Sequence, residues 1–159
     1  MALIVEDGTG KPDAESLASV AFADAYHAGR GNAAWAATDA EVKEQLLRKA
    51  TDYIVSMYAG SWAGLELVAG QALPFPRSPW GLVVPVPIQQ ACAELALIAK
   101  TTPLMPNVTR GKKRVKVGPL EVEYDGNAAT STKFVAASLR IGPFLSVLST
   151  GPFAKLVRT

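Results

Sequence analysis

Apolar residues recur at helical spacing between residues 42 and 57. Five of them lie four, four, three and four positions apart: Val42, Leu46, Ala50, Tyr53 and Met57. Thr38 and Glu41 precede this stripe with the spacing of a capping box, in which a hydroxyl and a carboxylate each satisfy a free backbone N–H. The pattern predicts an amphipathic helix of about five turns, with its apolar face turned towards the core.

Two other helices are indicated upstream and downstream of this one. Ser16 or Ser19 can cap a first helix that runs to about Ala28. Pro87 suits the first turn of a later helix that extends to about residue 100, because proline lacks the N–H that would be unpaired there. That later helix is rich in alanine, and Glu94 is its only interior charge. We therefore expect it in the middle of a bundle.

In the last third of the chain, apolar and charged residues first alternate, and a helical pattern then returns. Valines alternate with basic residues before Gly118-Pro119, and apolar residues alternate with glutamates after it, which predicts a β-hairpin near residues 114–124. A final helical segment begins near Thr132 and is interrupted at Gly142-Pro143. The expected fold is mainly α, a small helical bundle with a β-hairpin. We expect a helical domain over residues 1–148 and an extended C-terminal tail over residues 149–159.

A stiff connection lies between the amphipathic helix and the alanine-rich one. In Gln71–Arg77, two prolines stand two positions apart, which excludes a regular helix or a central strand. Such a segment holds neighbouring elements, or neighbouring subunits, at a set angle. The residues expected at a subunit interface are Trp62, Pro74, Phe75, Pro76, Arg77 and Trp80.

Composition indicates a globular chain with an uneven distribution of charge. The 159 residues have a net charge of +2, but residues 1–80 carry six basic and ten acidic side chains, and residues 81–159 carry ten and four. Between residues 100 and 116 there is no acid. The residues predicted to contact DNA or an acidic partner are Arg110, Lys112, Lys113, Arg114 and Lys116. A solvated loop is the alternative interpretation of the same block.

Catalytic and cofactor-binding patterns are missing from the sequence. Gly8-Thr9-Gly10-Lys11 looks like a phosphate loop, but it lacks the earlier glycine and the following Ser or Thr. His27 is the single histidine and Cys92 the single cysteine, so neither a zinc cluster nor an internal disulfide is expected. No run reaches the ~20 apolar residues of a membrane span. We expect no enzyme, no cofactor, no metal and no membrane partner, and a protein that is cytosolic when made.

Several ordered segments together resemble a known family. They are Ser16–Val20, Ala23–His27, Gly31–Trp35, Leu46–Tyr53, Gln71–Arg77, Ala91–Leu97 and Val117–Tyr124. Their order resembles the head-tail connector (adaptor) family of long-tailed bacteriophages, whose sequences are often labelled DnaT-like single-stranded DNA-binding proteins. The resemblance covers about residues 16–124.

The connector resemblance implies a structural virion protein. It implies a homo-oligomeric ring, commonly of twelve subunits, beneath the portal, which docks on the portal protein by C-terminal segments and meets a stopper or tail-completion protein on its other face. Genomic DNA would pass through the lumen, and the protein would lie at the head-tail interface of the virion after assembly from the host cytoplasm. The expected portal-docking residues are Phe153, Lys155, Leu156, Val157 and Arg158. The alternative hypothesis is a DnaT-like single-stranded DNA-binding module that uses the basic block.

Overall fold

The computed structural model of the protein describes residues 2–106 and 134–146, together with the backbone of residues 114–117 and 120–123. Five α-helices form most of the regular structure in these ranges. They are α1 (Val20–Ala28), α2 (Ala33–Ala36), α3 (Ala40–Met57), α4 (Val86–Ala99) and α5 (Val135–Ile141), and a 3-10 turn over Gly142–Phe144 follows α5. The described fold is therefore mainly helical with little strand, which confirms the expected class.

The alanine-rich helix α4 lies at the centre of the described bundle. It packs against α1, α3 and α5, and its inward residues Ile88, Ala91, Cys92, Ala93, Leu95 and Ala96 are buried. Small side chains allow neighbouring helices to approach its backbone closely. Pro87 stands in its first turn as predicted, although α4 begins at Val86, slightly earlier than expected.

Helix α3 matches the predicted range, but its start differs from the prediction. The buried residues include Leu46, Ala50 and Tyr53 of the predicted stripe, whereas Val42 and Met57 at its ends are exposed. The predicted capping box is wrong. The N-cap position is Asp39, and the Thr38 hydroxyl donates instead to the Ala34 carbonyl at 2.8 Å.

Helix α1 begins as one of the two predicted alternatives. The Ser19 side chain accepts a hydrogen bond from the Phe22 N–H at 3.1 Å, so Ser19 is the N-cap. The following connection contains the short helix α2, which the sequence pattern did not predict. Trp35 of α2 is buried and donates from its indole N–H to the Asp24 carboxylate of α1 at 2.7 Å.

The C-terminal part of the described chain returns to the bundle. Helix α5 begins at Val135, and the predicted start near Thr132 lies outside the described residues. The predicted interruption at Gly142-Pro143 is confirmed as a change from α-helix to the 3-10 turn. The expected boundary between residues 148 and 149 also lies outside the described residues.

Two short strands are described by their backbone alone. β1 (Arg114–Val117) pairs antiparallel with β2 (Leu120–Glu123), with Val115 opposite Val122. The turn at residues 118–119 and the apolar face predicted for a hairpin lie beyond what the structure describes. The hairpin as a packed, functional part of the domain therefore stays a prediction.

Candidate functional site

The residues predicted to contact DNA are only partly described. Three of the five lie outside the described ranges: Arg110, Lys112 and Lys113. Arg114 and Lys116 lie on β1, where the backbone register sets them opposite Glu123 and Glu121. The structure thus gives a backbone position for two of these five residues, and their contact with DNA stays a prediction.

The residues predicted to dock on a portal are all at the C-terminal end of the chain. Phe153, Lys155, Leu156, Val157 and Arg158 lie outside the described residues. The last described residue, Ser146, donates its backbone N–H to the carbonyl of Ser61 at 2.8 Å. The chain therefore reaches this end of the described structure beside the loop that follows α3.

The residues predicted at a subunit interface lie together around Phe75. The Phe75 ring is fully buried, with ring centroids of Trp62 at 5.4 Å, Trp80 at 6.0 Å and Phe144 at 5.9 Å. Trp62 and Phe144 meet the Phe75 ring edge to face, which is a favoured geometry for aromatic rings, and Trp80 meets it tilted. This aromatic cluster joins the loop after α3, the proline segment and the 3-10 turn into one packed unit.

Arg77 binds the loop after α3 to the proline segment. Its guanidinium donates to the carbonyls of Ala63 at 3.0 Å, Gly64 at 2.8 Å and Pro74 at 3.3 Å, and it pairs with Glu66 at 3.3 Å. The residue is only 8% exposed. A guanidinium has five N–H donors in a fixed plane, which suits several carbonyls around one point. Arg77 is thus an internal structural residue in the described chain.

The burial of the proline segment changes the interpretation of the predicted interface. Pro74, Phe75, Pro76 and Arg77 are buried inside the subunit, so their side chains do not supply a free surface. Trp62 and Trp80 are half-buried, and their interface role stays a prediction. Exposed apolar side chains lie instead on the chain segments beside the proline segment, at Leu65, Leu67, Leu82 and Val83.

These four exposed residues form what we call the apolar rim, and sequence reasoning missed them. Leu65 and Leu67 flank Glu66, whose backbone forms an isolated antiparallel β-bridge with Arg77. The backbone of Arg77 forms a second β-bridge with Gly81, which directly precedes Leu82 and Val83. The apolar rim therefore borders the aromatic cluster along three adjacent backbone segments. The alternation of Leu65-Glu66-Leu67 was the available signal, because an extended segment places i and i+2 side chains on one side.

The whole chain also matches one family model. The match spans residues 1–159, and the family is described as "Putative DnaT-like ssDNA binding protein". The chain belongs to this family. No curated protein matches the chain, and no solved structure matches it.

Membership of the DnaT-like family confirms part of the resemblance stated from the sequence. The match supports the label "DnaT-like single-stranded DNA-binding protein", and it does so over the full length of the chain. The match carries nothing on a portal, a tail or a virion, so the connector identity stays a prediction. The name of the family favours the alternative hypothesis of a DNA-binding module.

The lone histidine and the lone cysteine of this DnaT-like protein both lie inside the bundle. His27 contacts the Ala93 carbonyl through Nε2 at 3.0 Å and the Asn32 side chain through Nδ1 at 2.9 Å, and burial lowers its pKa. Burial raises the pKa of the Cys92 thiol to about 11, so the reactive thiolate is disfavoured. Both side chains therefore contribute to packing and hydrogen bonding inside the bundle.

Metal-binding and membrane-spanning features were sought in the same ranges. Among residues 2–106 and 134–146, no group of three or more His, Cys, Asp or Glu side chains is arranged to hold a metal ion. No helix in the described part is long and apolar enough to cross a membrane. The carboxylate of Asp24 pairs with Lys43 at 2.9 Å and accepts from the indole N–H of Trp35.

The segment that imitates a phosphate loop is occupied by a side chain of the protein itself. The Glu6 carboxylate accepts hydrogen bonds from the backbone N–H groups of Gly8 at 2.8 Å, Gly10 at 2.9 Å and Lys11 at 2.8 Å. Gly8 and Gly10 both have positive φ, so these N–H groups converge in the concave arrangement that binds anions. An internal carboxylate fills the position that a phosphate would take in a nucleotide site.

Proposed function

We propose that the protein binds single-stranded DNA mainly through phosphate contacts made by the block from Arg110 to Lys116. The observation that carries this proposal is the run without acids between residues 100 and 116, in a chain whose family is described as DNA binding. Lysine and arginine next to a nucleic acid release condensed counterions, which provides affinity without reading the sequence.

The described aromatic residues favour electrostatic binding over base stacking. Single-strand binders usually present several aromatic rings on which bases stack. Here the described aromatic rings are buried or half-buried, as in the cluster around Phe75. We therefore expect little preference for base sequence and a steep dependence on salt. Five phosphate contacts would give a slope of log affinity against log salt of about −3.5.

The experiment is a titration of a fluorescently labelled oligothymidine of about 20 nucleotides, followed by anisotropy at several salt concentrations. The variant Lys112→Ala/Lys113→Ala should bind more weakly and reduce the magnitude of the salt slope by about 1.4. A matched control, Lys155→Ala/Arg158→Ala, removes the same charge from the tail and should retain the slope. Equal losses in both variants would show that net charge alone is measured, and no binding by the parent protein would reject the proposal.

A second candidate function is the ring adaptor, supported by the apolar rim. Leu65 is 77% exposed and Leu82 63% exposed, and their neighbours Leu67 and Val83 are exposed as well. Exposed apolar patches with polar surroundings mark protein interfaces. In this hypothesis subunits form a ring of about twelve around genomic DNA, at the head-tail interface of a virion, between the portal protein and a stopper or tail-completion protein.

Co-sedimentation with the portal ring of the same phage tests the adaptor hypothesis. Removal of residues 149–159 should abolish portal binding and leave the melting temperature unchanged, because the tail is expected to act as the docking segment. The variant Leu65→Ser/Leu82→Ser should instead reduce self-association, measured by sedimentation velocity. Portal binding that survives the truncation would contradict the tail assignment, and a parent protein that never binds a portal would reject the adaptor.

A further inference from the structure

A groove of about 460 Å³ lies where α3 meets the turn that follows α4. Its polar side chains include Lys49 and Asp52 from α3, and Lys100, Thr101 and Thr102 from the turn. Met105 and the largely buried Leu104 supply an apolar wall. Ligand sites commonly have volumes of about 300 to 1,000 Å³ and combine apolar walls with a few polar groups. The groove is therefore large enough for a nucleotide-sized group.

Two lysines line the groove, and neither forms an ion pair with an acid in the described part of the chain. Lys49 is exposed. Lys100 donates to the Ala34 carbonyl at 2.8 Å and to the Thr38 hydroxyl at 2.9 Å, both of which are neutral groups. An ammonium has three N–H donors, so Lys100 retains one donor and its full charge. Asp52 reduces the local charge but leaves it positive.

The path of the chain connects this groove with the basic block. Met105 is the last residue in sequence that lines the groove. Residue 106 follows it and is the last described residue before the run from Arg110 to Lys116. Four residues span at most about 14 Å when fully extended. The basic block is thus joined to one wall of the groove by a short segment of sequence, so one strand can contact both the block and Lys49.

We propose that this groove binds one nucleotide of the strand, with its phosphate at the ammonium group of Lys49 and its base or sugar against Met105. The inference rests on the proposed function and adds to it a contact on the helical body. The Thr102 hydroxyl, on the same turn, supplies a further donor to a phosphate oxygen. Binding to Lys49 orders the strand relative to the bundle.

Lysine acetylation of the full-length protein, with and without excess oligothymidine, tests the proposed site by mass spectrometry. We expect several-fold protection of Lys49 in the complex. Lys11 pairs with Asp7 elsewhere on the surface and serves as the internal control. Its acetylation should be the same with and without oligothymidine. Protection of Lys112 and Lys113 without protection of Lys49 would overturn the groove and leave the proposed function intact. No protection together with no binding would overturn both.

Two substitutions in the groove should act in opposite directions. Lys49→Ala should weaken binding and reduce the magnitude of the salt slope by about 0.7, as expected for one lost phosphate contact. Asp52→Asn should strengthen binding, because it removes an anion from beside the phosphate. The matched controls are Lys11→Ala and Asp13→Asn, both outside the groove. If each control changes affinity as much as its partner, the groove has no specific role.

Discussion

The guanidinium of Arg140 lies 2.9 Å from the carboxylate of Glu94, and this ion pair joins α5 to the central helix α4. The Tyr26 hydroxyl from α1 donates to the same carboxylate and accepts from Arg140 at 2.8 Å. Three helices thus meet at one partly buried set of hydrogen bonds. Glu94 was notable in the sequence as the only interior charge of α4, and the structure provides the reason for its presence.

The variant Glu94→Ala should destabilise the fold by about 1 to 3 kcal/mol, because it removes the charge partner of Arg140 and leaves the Tyr26 hydroxyl without its acceptor. The unfolding free energy from urea denaturation measures this loss. Asp7→Asn is the control, since it removes an exposed ion pair with Lys11, keeps a side-chain oxygen as the acceptor for Thr9 and should change the unfolding midpoint little. Equal midpoints for Glu94→Ala and the parent would show that the three-helix contact contributes nothing.

Gly64 offers a test of the packing around the apolar rim. Its φ is +72°, and an added Cβ would overlap the Ser78 carbonyl oxygen, whereas Gly60 has a φ of +70° and open space around it. Gly60→Ala should cost about 1 kcal/mol from backbone strain alone. Gly64→Ala should cost about 1 to 3 kcal/mol more, because the backbone of residues 64 and 78 must separate. Urea unfolding of the two variants gives the comparison, and equal costs would contradict the close approach.

The helices were predictable where the signal is local. The spacing of the apolar residues indicated α3, and the alanine-rich composition and Pro87 indicated both the start and the central position of α4. The capping box failed because Asp39, and not Thr38, is the N-cap of α3; the Thr38 hydroxyl instead donates to the Ala34 carbonyl and accepts from the distant Lys100 ammonium. Helix α2, which contains Ala34, brings Trp35 to Asp24 of α1, a contact that no local pattern reveals.

The candidate sites were less predictable because they depend on contacts between distant residues. Arg77 was expected at a surface, but the carbonyls that bind it come from the loop after α3 and are brought together only by folding. Lys49 and Lys100 are far apart in sequence, and the packing of α3 on α4 places them in one groove. Charge composition alone indicated the basic block and could not extend it to the helical body.

Glu6 should stabilise the loop that imitates a phosphate site. The variant Glu6→Gln replaces one acceptor oxygen by an amide NH₂, so at least one of the N–H groups of Gly8, Gly10 and Lys11 loses its partner. We expect a loss of about 1 to 3 kcal/mol of unfolding free energy. Asp13→Asn, an exposed acid nearby, is the control. If Glu6→Gln unfolds at the same urea concentration as the parent, the carboxylate is not required in this loop.

The pH dependence of stability should contain a contribution from His27. Burial lowers its pKa in the folded protein below the ordinary value of 6.5, while the contacts with Ala93 and Glu94 act in the opposite direction. As pH falls through about 6.5, the unfolded chain binds a proton that the folded chain does not, so stability decreases towards acid. The contribution is fully present above that pH, and its slope is at most about 1.4 kcal/mol per pH unit.

Urea unfolding of the parent and of His27→Gln between pH 5 and 7.5 isolates this contribution. Glutamine can still donate to the Ala93 carbonyl but cannot be protonated, and the chain has no other histidine. The stability difference between the two proteins should therefore shrink or reverse as the pH falls, because only the parent is penalised by protonation. The carboxylates titrate in both proteins and cancel in the difference. A pH-independent difference would mean that His27 has the same pKa in the folded and unfolded chains, and that its burial between α1 and α4 imposes no penalty on its charged form.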